Sequence, residues 1–154
     1  ASVKDKKLGY VGHIERVNIT PITDLLEKGY IPVVSTVGCD LKGNTYNING
    51  DTAAAFIAGA LGAERLIMMT DIAGILRDKD DSSSLIPEIT VSEARALYES
   101  GVVSGGMIPK VECCIEALQK GVKNVIIMDG RVPHSILMEI LTDEGAGTMV
   151  TEDK

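Results

Sequence analysis

Short apolar runs alternate along this chain with longer segments in which apolar residues recur every three or four positions. The runs at 30–35, 65–70 and 123–128 are typical of strands, and the first two read as strands buried inside a sheet. The longer segments predict helices at 21–28, 51–62, 92–100, 107–120 and 134–141. This alternation predicts an α/β fold, in which a mostly parallel sheet is sandwiched by helices.

Three shorter stretches complete the predicted architecture. Residues 8–17 alternate like a hairpin or a pair of half-buried strands, and the turn-rich stretch 40–44 predicts a second hairpin that continues to Ile48. Residues 147–150 predict a closing strand. A chain of 154 residues without an internal repeat or a linker is expected to form a single domain.

Composition excludes several classes of protein. A net charge of −7 argues against binding of nucleic acid, because backbone phosphates require clustered lysine and arginine. No apolar run approaches the roughly 20 residues of a membrane-spanning helix, and the first residues lack a signal-peptide core. An odd count of 3 cysteines, two of them adjacent, predicts a reducing compartment without disulfides. Neither these cysteines nor the two histidines have zinc-ligand spacing, and no metal ligand is assigned.

A polar cluster at 47–51 lies between a predicted strand and a predicted helix. Alternation along the strand places Asn47 and Asn49 on the same side, and Asp51 stands where a helix leaves its first N–H groups unpaired. Such a cluster is a plausible binding site for an anionic substrate. The alternative is that Asp51 only caps the helix and the asparagines only form a turn.

A glycine-rich stretch at 104–110 leads into the fourth predicted helix, and Lys110 lies in the first turn of that helix. Backbone N–H groups, the helix dipole and a lysine ammonium all favour a phosphate group. The alternative is a flexible loop that carries an exposed lysine. The chain has no P-loop, no dinucleotide-binding fingerprint and no nucleophile elbow, which disfavours P-loop NTPases, dehydrogenases and α/β-hydrolases.

Three motifs occur in the order that characterises the amino acid kinase family, and the chain resembles the acetylglutamate kinases within that family. The motifs are Tyr46-Asn47-Ile48-Asn49-Gly50-Asp51, Thr70-Asp71-Ile72-Ala73-Gly74-Ile75-Leu76 and Gly105-Gly106-Met107-Ile108-Pro109-Lys110. The run 129–131 and the stretch 134–149 resemble the arginine-sensitive branch. The family usually has alanine where this chain has Gly50.

The resemblance implies the carbamate kinase-like, nucleotide-binding C-terminal lobe of such an enzyme, with residues 8–17 belonging to a hairpin of the substrate lobe. It implies use of ATP with Mg²⁺ and transfer of a phosphoryl group to the side-chain carboxylate of N-acetyl-L-glutamate. Two alternatives stay open. One is another amino acid kinase, acting on aspartate, glutamate 5-carboxylate, carbamate or UMP. The other is a non-catalytic module that binds nucleotide or arginine, because family members are roughly twice as long.

Site residues follow from the resemblance position by position. The catalytic pair is Lys110 with Asp51, where Asp51 organises lysines rather than acting as a base, and Asn47 and Asn49 are the substrate-binding candidates. The nucleotide-binding candidates are Thr70, Asp71, Gly105, Gly106, Met107 and Lys110. The candidates for an inhibitory arginine site are Glu139, Glu144, Gly145 and Gly147. The resemblance further implies a hexamer, the PII signalling protein as a partner, and the bacterial cytoplasm or the plastid stroma as the compartment.

Overall fold

Strands and helices alternate along most of the chain, as the apolar pattern predicts. A computed structural model describes residues 1–78, 80–102, 105–143 and 145–153. In chain order the elements are β1 (Ser2–Val3), β2 (Gly12–His13), α1 (Thr20–Glu27), β3 (Val37–Cys39), β4 (Thr45–Asn47), α2 (Gly50–Leu61), β5 (Arg65–Thr70), β6 (Glu88–Thr90), α3 (Val91–Glu99), α4 (Met107–Gln119), β7 (Asn124–Asp129), α5 (Ser135–Leu141) and β8 (Gly147–Thr151), with short 3-10 turns at Lys6–Leu8 and Ser82–Ser84.

The central sheet has four strands in the order β5-β7-β8-β6. β5 is parallel to β7 and β6 is parallel to β8, whereas β7 and β8 are antiparallel. The predicted α/β fold with a mostly parallel sheet is therefore confirmed, with one antiparallel pair added to it. Three helices, α2, α3 and α4, pack on this sheet and on one another.

The core is aliphatic and centres on β7. All four residues from Val125 to Met128 are fully buried, because β7 has a strand on each side and side chains packed on both faces. α4 adds Cys113 and Cys114, and both are buried. Burial raises the pKa of the Cys114 thiol to about 12, so this thiol stays protonated and unreactive.

The strand β5 has the predicted bounds but not the predicted burial. It is an edge strand of the sheet, and Met69 on it is half exposed. A continuous apolar run fits a strand that is covered on both faces, but an edge position leaves part of such a strand open to solvent. The prediction that residues 65–70 are fully enclosed is wrong.

The apolar run 30–35, predicted as a buried strand, forms no strand in this structure. Ile31 is 90 % exposed and Val33 is 95 % exposed. A strand needs a neighbour to pair with, and no described strand pairs with this run; Pro32 also lacks an N–H to donate. The preceding helix α1 likewise has no buried residue. An apolar surface thus extends over α1 and the segment 30–37.

Two small antiparallel sheets stand beside the central one. The predicted second hairpin is confirmed by the pairing of β3 with β4. In the stretch 8–17 only β2 is a strand, and its partner is β1 rather than another part of that stretch. Helix α3 begins one residue earlier than predicted, because Thr90 is its N-cap and forms a capping box with Glu93. No helix in the described ranges has the length and hydropathy needed to cross a bilayer.

Candidate active site

Lys110 and Asp51, which lie 59 residues apart in the sequence, form an ion pair. The distance from Lys110 Nζ to Asp51 Oδ2 is 3.3 Å, and the two side chains are 24 % and 37 % exposed. The pair exists because α2 packs against α4 and each helix carries its charged residue in its first turns. The two predicted catalytic residues are therefore brought together at an accessible position.

The start of α2 shows which residue of the polar cluster caps the helix. Asn49, not Asp51, is the N-cap: its side-chain oxygen accepts a hydrogen bond from the Thr52 N–H at 3.0 Å. Asp51 follows in the first helical turn, where it pairs with Lys110. Asn47 and Asn49 are both exposed, as alternation predicts, while Ile48 between them is buried. The strand β4 ends at Asn47, so the alternation that would place Asn49 on the same side as Asn47 does not extend to Asn49.

The start of α4 offers main-chain donors to an anion. Gly106 is the N-cap and provides no side chain for the capping role, and Gly105 before it has a φ of 58°, which favours glycine. Among the described residues, no atom lies within 4 Å of a Cβ built at either glycine. Met107 packs against the core and fixes the first turn, and Lys110 adds a positive charge. This combination suits a phosphate group.

The starts of α2 and α4 lie at the end of the sheet where the carboxyl ends of β5 and β7 are; this end is called the carboxyl edge below. α2 precedes β5 and α4 precedes β7, and a helix that leads into a parallel strand begins near that strand's far end. Thr70, the last residue of β5, donates its hydroxyl to the Asp71 carboxylate at 3.2 Å. The nucleotide-binding candidates therefore all lie at the carboxyl edge.

Arg131 is a residue of the carboxyl edge that the sequence left without a role. Its guanidinium donates to the Asp129 carboxylate at 2.9 and 2.8 Å and to the Asp71 carbonyl at 2.6 Å. Arg131 holds the pKa of Asp129 down at about 2 through these hydrogen bonds, and Asp129 in turn raises the pKa of Arg131. The position of 129–131 directly after a predicted strand was the signal that could have found it.

The candidates for an arginine site gather around the turn between α5 and β8. Glu139 is buried, and its Oε2 accepts a hydrogen bond from the Ala146 N–H at 2.8 Å. A Cβ added to Gly145 would lie 3.3 Å from the same oxygen. Gly147 begins β8 at a position where a side chain would collide with the Ile127 carbonyl. Glu144 lies outside the described residues.

A sequence profile decides the family. The profile of the amino acid kinase family matches residues 1–129, which is most of the chain. The chain belongs to the amino acid kinase family. The chain is 56 % identical over 146 residues to the acetylglutamate kinase of Thermosynechococcus vestitus, covering 95 % of this chain and 50 % of that protein. It is 54 % identical over 145 residues to the chloroplastic acetylglutamate kinase of Arabidopsis thaliana, covering 94 % and 42 %.

A solved structure of similar fold supports the same placement. The N-acetylglutamate synthase from Neisseria gonorrhoeae, crystallised with coenzyme A and L-arginine, superposes with a TM-score of 0.88 at 28 % identity, and covers 99 % of this chain and 35 % of that one. The chain spans about half the length of the curated relatives that it matches.

Proposed function

We propose that this chain forms the nucleotide-binding lobe of an acetylglutamate kinase, which transfers the γ-phosphoryl group of ATP to the side-chain carboxylate of N-acetyl-L-glutamate. The observation that carries the proposal is the Lys110–Asp51 pair at 3.3 Å, beside an α4 start that has no side-chain cap. The names of relatives at 54–56 % identity support the choice of acceptor.

Charge determines what the lobe must do. ATP and the acceptor carboxylate are both anionic, so they repel each other unless cations and N–H donors stand between them. The Lys110 ammonium would stabilise the negative charge that spreads over the transferring group, and the first N–H groups of α4 would bind phosphate oxygens. Both groups are fixed by α4, so they need little rearrangement during the reaction.

Asp51 has the role of an organiser in this proposal. An acceptor carboxylate has a reference pKa of about 4.3, so it is already ionised at neutral pH and needs no general base. A carboxylate 3.3 Å from Lys110 Nζ instead keeps the ammonium in place. Asn47 would bind the acceptor. Asn49 is the weaker candidate for that contact because its carbonyl oxygen caps α2.

Magnesium fits this lobe as a companion of the nucleotide. Within the described ranges no group of three or more histidine, cysteine, aspartate or glutamate side chains could hold a metal ion. Mg²⁺ would arrive on the phosphates of ATP, where it neutralises charge during phosphoryl transfer. Asp71, the first residue after β5, would line the nucleotide site.

The exposed apolar surface of α1 and the segment 30–37 supports a requirement for a second lobe. Ile31 and Val33 would be buried if a second lobe packed against this face, and apolar burial of that kind is favourable. Residues 8–17, which touch β4 through the Val11–Asn47 bridge, would belong to that second lobe as well. The chain alone would then bind nucleotide without turnover.

The test is a kinase assay of the full-length protein with ATP and a panel of acceptors: N-acetyl-L-glutamate, aspartate, glutamate, carbamate and UMP. We expect turnover with N-acetyl-L-glutamate, and a fall in kcat of about two to three orders of magnitude for Lys110→Ala. Lys123→Ala is the matched control, because Lys123 forms an exposed pair with Glu64 at the opposite edge of the sheet. Unchanged turnover of Lys110→Ala, or turnover with another acceptor only, would refute the proposal.

A calorimetric titration of the isolated chain separates a catalytic unit from a binding module. We expect it to bind an ATP analogue and to transfer nothing to N-acetyl-L-glutamate. Turnover by the isolated chain would refute the need for a second lobe.

Regulation by arginine is the second part of the proposal. The buried Glu139 carboxylate, with Glu144, Gly145 and Gly147, would bind the guanidinium of an inhibitory arginine.

Assembly into a hexamer, binding of the PII signalling protein, and a location in the bacterial cytoplasm or plastid stroma remain predictions for the full-length protein. Light scattering, with and without PII, tests the first two.

A further inference from the structure

Arg131 joins the carboxyl ends of β5 and β7 through contacts that the phosphoryl-transfer mechanism does not use. Its side chain is 70 % exposed, yet it makes three hydrogen bonds: two to the Asp129 carboxylate and one, at 2.6 Å, to the Asp71 carbonyl. An exposed arginine usually moves among many rotamers, and a two-point contact with a carboxylate removes most of that freedom.

The partner on β7 is rigid. Asp129 is only 15 % exposed and follows four fully buried residues of the central strand. Its carboxylate also accepts the Arg131 main-chain N–H at 2.9 Å, so one carboxylate fixes both the backbone and the side chain of Arg131. The guanidinium therefore presents its two remaining N–H groups, both on Nη1, at defined positions.

The partner of Arg131 at the end of β5 is the Asp71 carbonyl, just beyond the last paired residue of that strand. Strand pairing stops at Thr70, whose carbonyl accepts the Gly130 N–H at 2.8 Å, and Asp71 is the first residue beyond it. The Arg131 bond to the Asp71 carbonyl extends the connection between the two strand ends by one residue. The Asp71 carboxylate is in turn bonded to the Thr70 hydroxyl.

We propose that Arg131 is a positioning residue of the nucleotide site, which fixes the main chain at Asp71 and with it the side chains of Thr70 and Asp71. This role rests on the proposed function, in which those two residues line the nucleotide site. Arg131 acts through Asp71 and Asp129, and need not touch the nucleotide. Lysine could not replace it fully, because one ammonium cannot span the carboxylate and the carbonyl with the same geometry.

The test compares Arg131→Gln, Arg131→Lys, Asp129→Asn and the double variant Arg131→Gln/Asp129→Asn in the full-length protein. We expect Arg131→Gln to weaken binding of an ATP analogue, measured by calorimetry, and to raise KM for ATP by about tenfold. The KM for the acceptor should stay unchanged. Arg131→Lys should restore part of the loss. Glu64→Gln, at the opposite edge of the sheet, is the control and should leave nucleotide binding unchanged.

The Asp129 variants distinguish positioning from direct contact. If Arg131 acts as part of a unit, Asp129→Asn weakens nucleotide binding too, and the double variant is no worse than Arg131→Gln alone. If Asp129→Asn binds as tightly as the parent while Arg131→Gln is weakened, Arg131 is a direct ligand and the proposal is wrong.

Hydrogen exchange gives a readout that requires no nucleotide. In Arg131→Gln, amides of 70–76 should exchange faster than in the parent, whereas amides of 124–128 should not change. Equal exchange of 70–76 in both proteins would overturn the positioning role. A parent protein that binds no nucleotide would refute the proposed function; a parent that binds and an Arg131→Gln variant that binds equally well would refute this inference alone.

Discussion

The buried hydroxyl of Thr148 accepts a hydrogen bond from the Ile75 N–H at 2.8 Å. The same hydroxyl donates to the Ile86 carbonyl at 2.6 Å. One side chain of β8 thus satisfies two main-chain groups of the segment between β5 and β6. That segment begins at Asp71, so the core contact of Thr148 also fixes the far end of the loop that leaves the candidate nucleotide site.

Replacement of Thr148 by valine should destabilise the chain markedly. Valine keeps the shape but leaves the Ile75 N–H and the Ile86 carbonyl without their partner, and both residues are buried. We expect the free energy of unfolding to fall by about 1–3 kcal/mol, as measured by urea denaturation. Thr148→Ser keeps the hydroxyl and should lose only about 1 kcal/mol for the missing methyl group. A valine variant as stable as the parent would contradict the prediction.

Asp51→Asn distinguishes an organiser from a general base. We expect kcat of the full-length protein to fall by about tenfold, because Lys110 loses its charged partner at 3.3 Å. The shape of the kcat profile between about pH 5 and pH 9 should stay the same. Loss of a titrating limb in the variant would show that Asp51 accepts a proton. Lys123→Ala again serves as the control.

Acid sensitivity should depend on the β3–β4 turn. The Asp40 carboxylate accepts hydrogen bonds from the Asn44 side chain at 2.7 Å and from the Asn44 and Lys42 N–H groups. These bonds, the Asn44 side-chain bond first, lower the pKa of Asp40 from 3.8 to about 2. A folded-state pKa below the unfolded value gives stability that is present above about pH 4 and is lost as the pH falls toward 2.

The matching variant is Asn44→Ala. In this variant the pKa of Asp40 should rise toward the usual value. The urea concentration at the unfolding midpoint should therefore change less between pH 6 and pH 3 than it does in the parent. Lys42→Ala is a suitable control, because Lys42 contributes only its main-chain N–H and keeps it. An acid response of Asn44→Ala equal to that of the parent would contradict the assignment.

Glu139→Gln should weaken inhibition by arginine. Glutamine can still accept the Ala146 N–H, so the turn keeps its hydrogen bond while the negative charge is lost. We expect the arginine concentration for half inhibition of the full-length protein to rise by about tenfold or more. Glu64→Gln, an exposed glutamate remote from α5, is the control. Unchanged inhibition in Glu139→Gln would remove Glu139 from the arginine site.

Periodicity predicted the elements whose partners lie within this chain. The bounds of β5 were exact to the residue, and α2 was placed within one residue of its start, because apolar runs and capping glycines act locally. The prediction of a strand at 30–35 failed for the opposite reason. Its apolar pattern is typical of a buried strand, but no described strand pairs with it. The three-residue strand β6 was missed because a single buried side chain, Ile89, leaves no period to detect.

Site geometry was predicted only in part. The Lys110–Asp51 contact follows from two helix starts at one sheet edge, which topology rules make foreseeable. Asn49 rather than Asp51 is the N-cap because the φ and ψ angles of Asn49 are extended, and the residue types alone do not determine which of the two adopts those angles. The Arg131 bond to the Asp71 carbonyl joins a side chain to the main chain 60 residues away, and no residue pattern records an acceptor of that kind.

In the strand order β5-β7-β8-β6, the strand that connects β6 to the rest of the sheet is β8, the last of the four to be synthesised. β6 is paired only with β8, and β8 lies between β6 and β7, so ribosomal synthesis leaves a gap in the sheet until residues 147–151 have emerged. Pairings between distant segments form slowly, because loop closure costs entropy before any contact is gained. The complete sheet is therefore expected to form only after residues 147–151 have left the ribosome, and β6 stays exposed to chaperones and proteases until then.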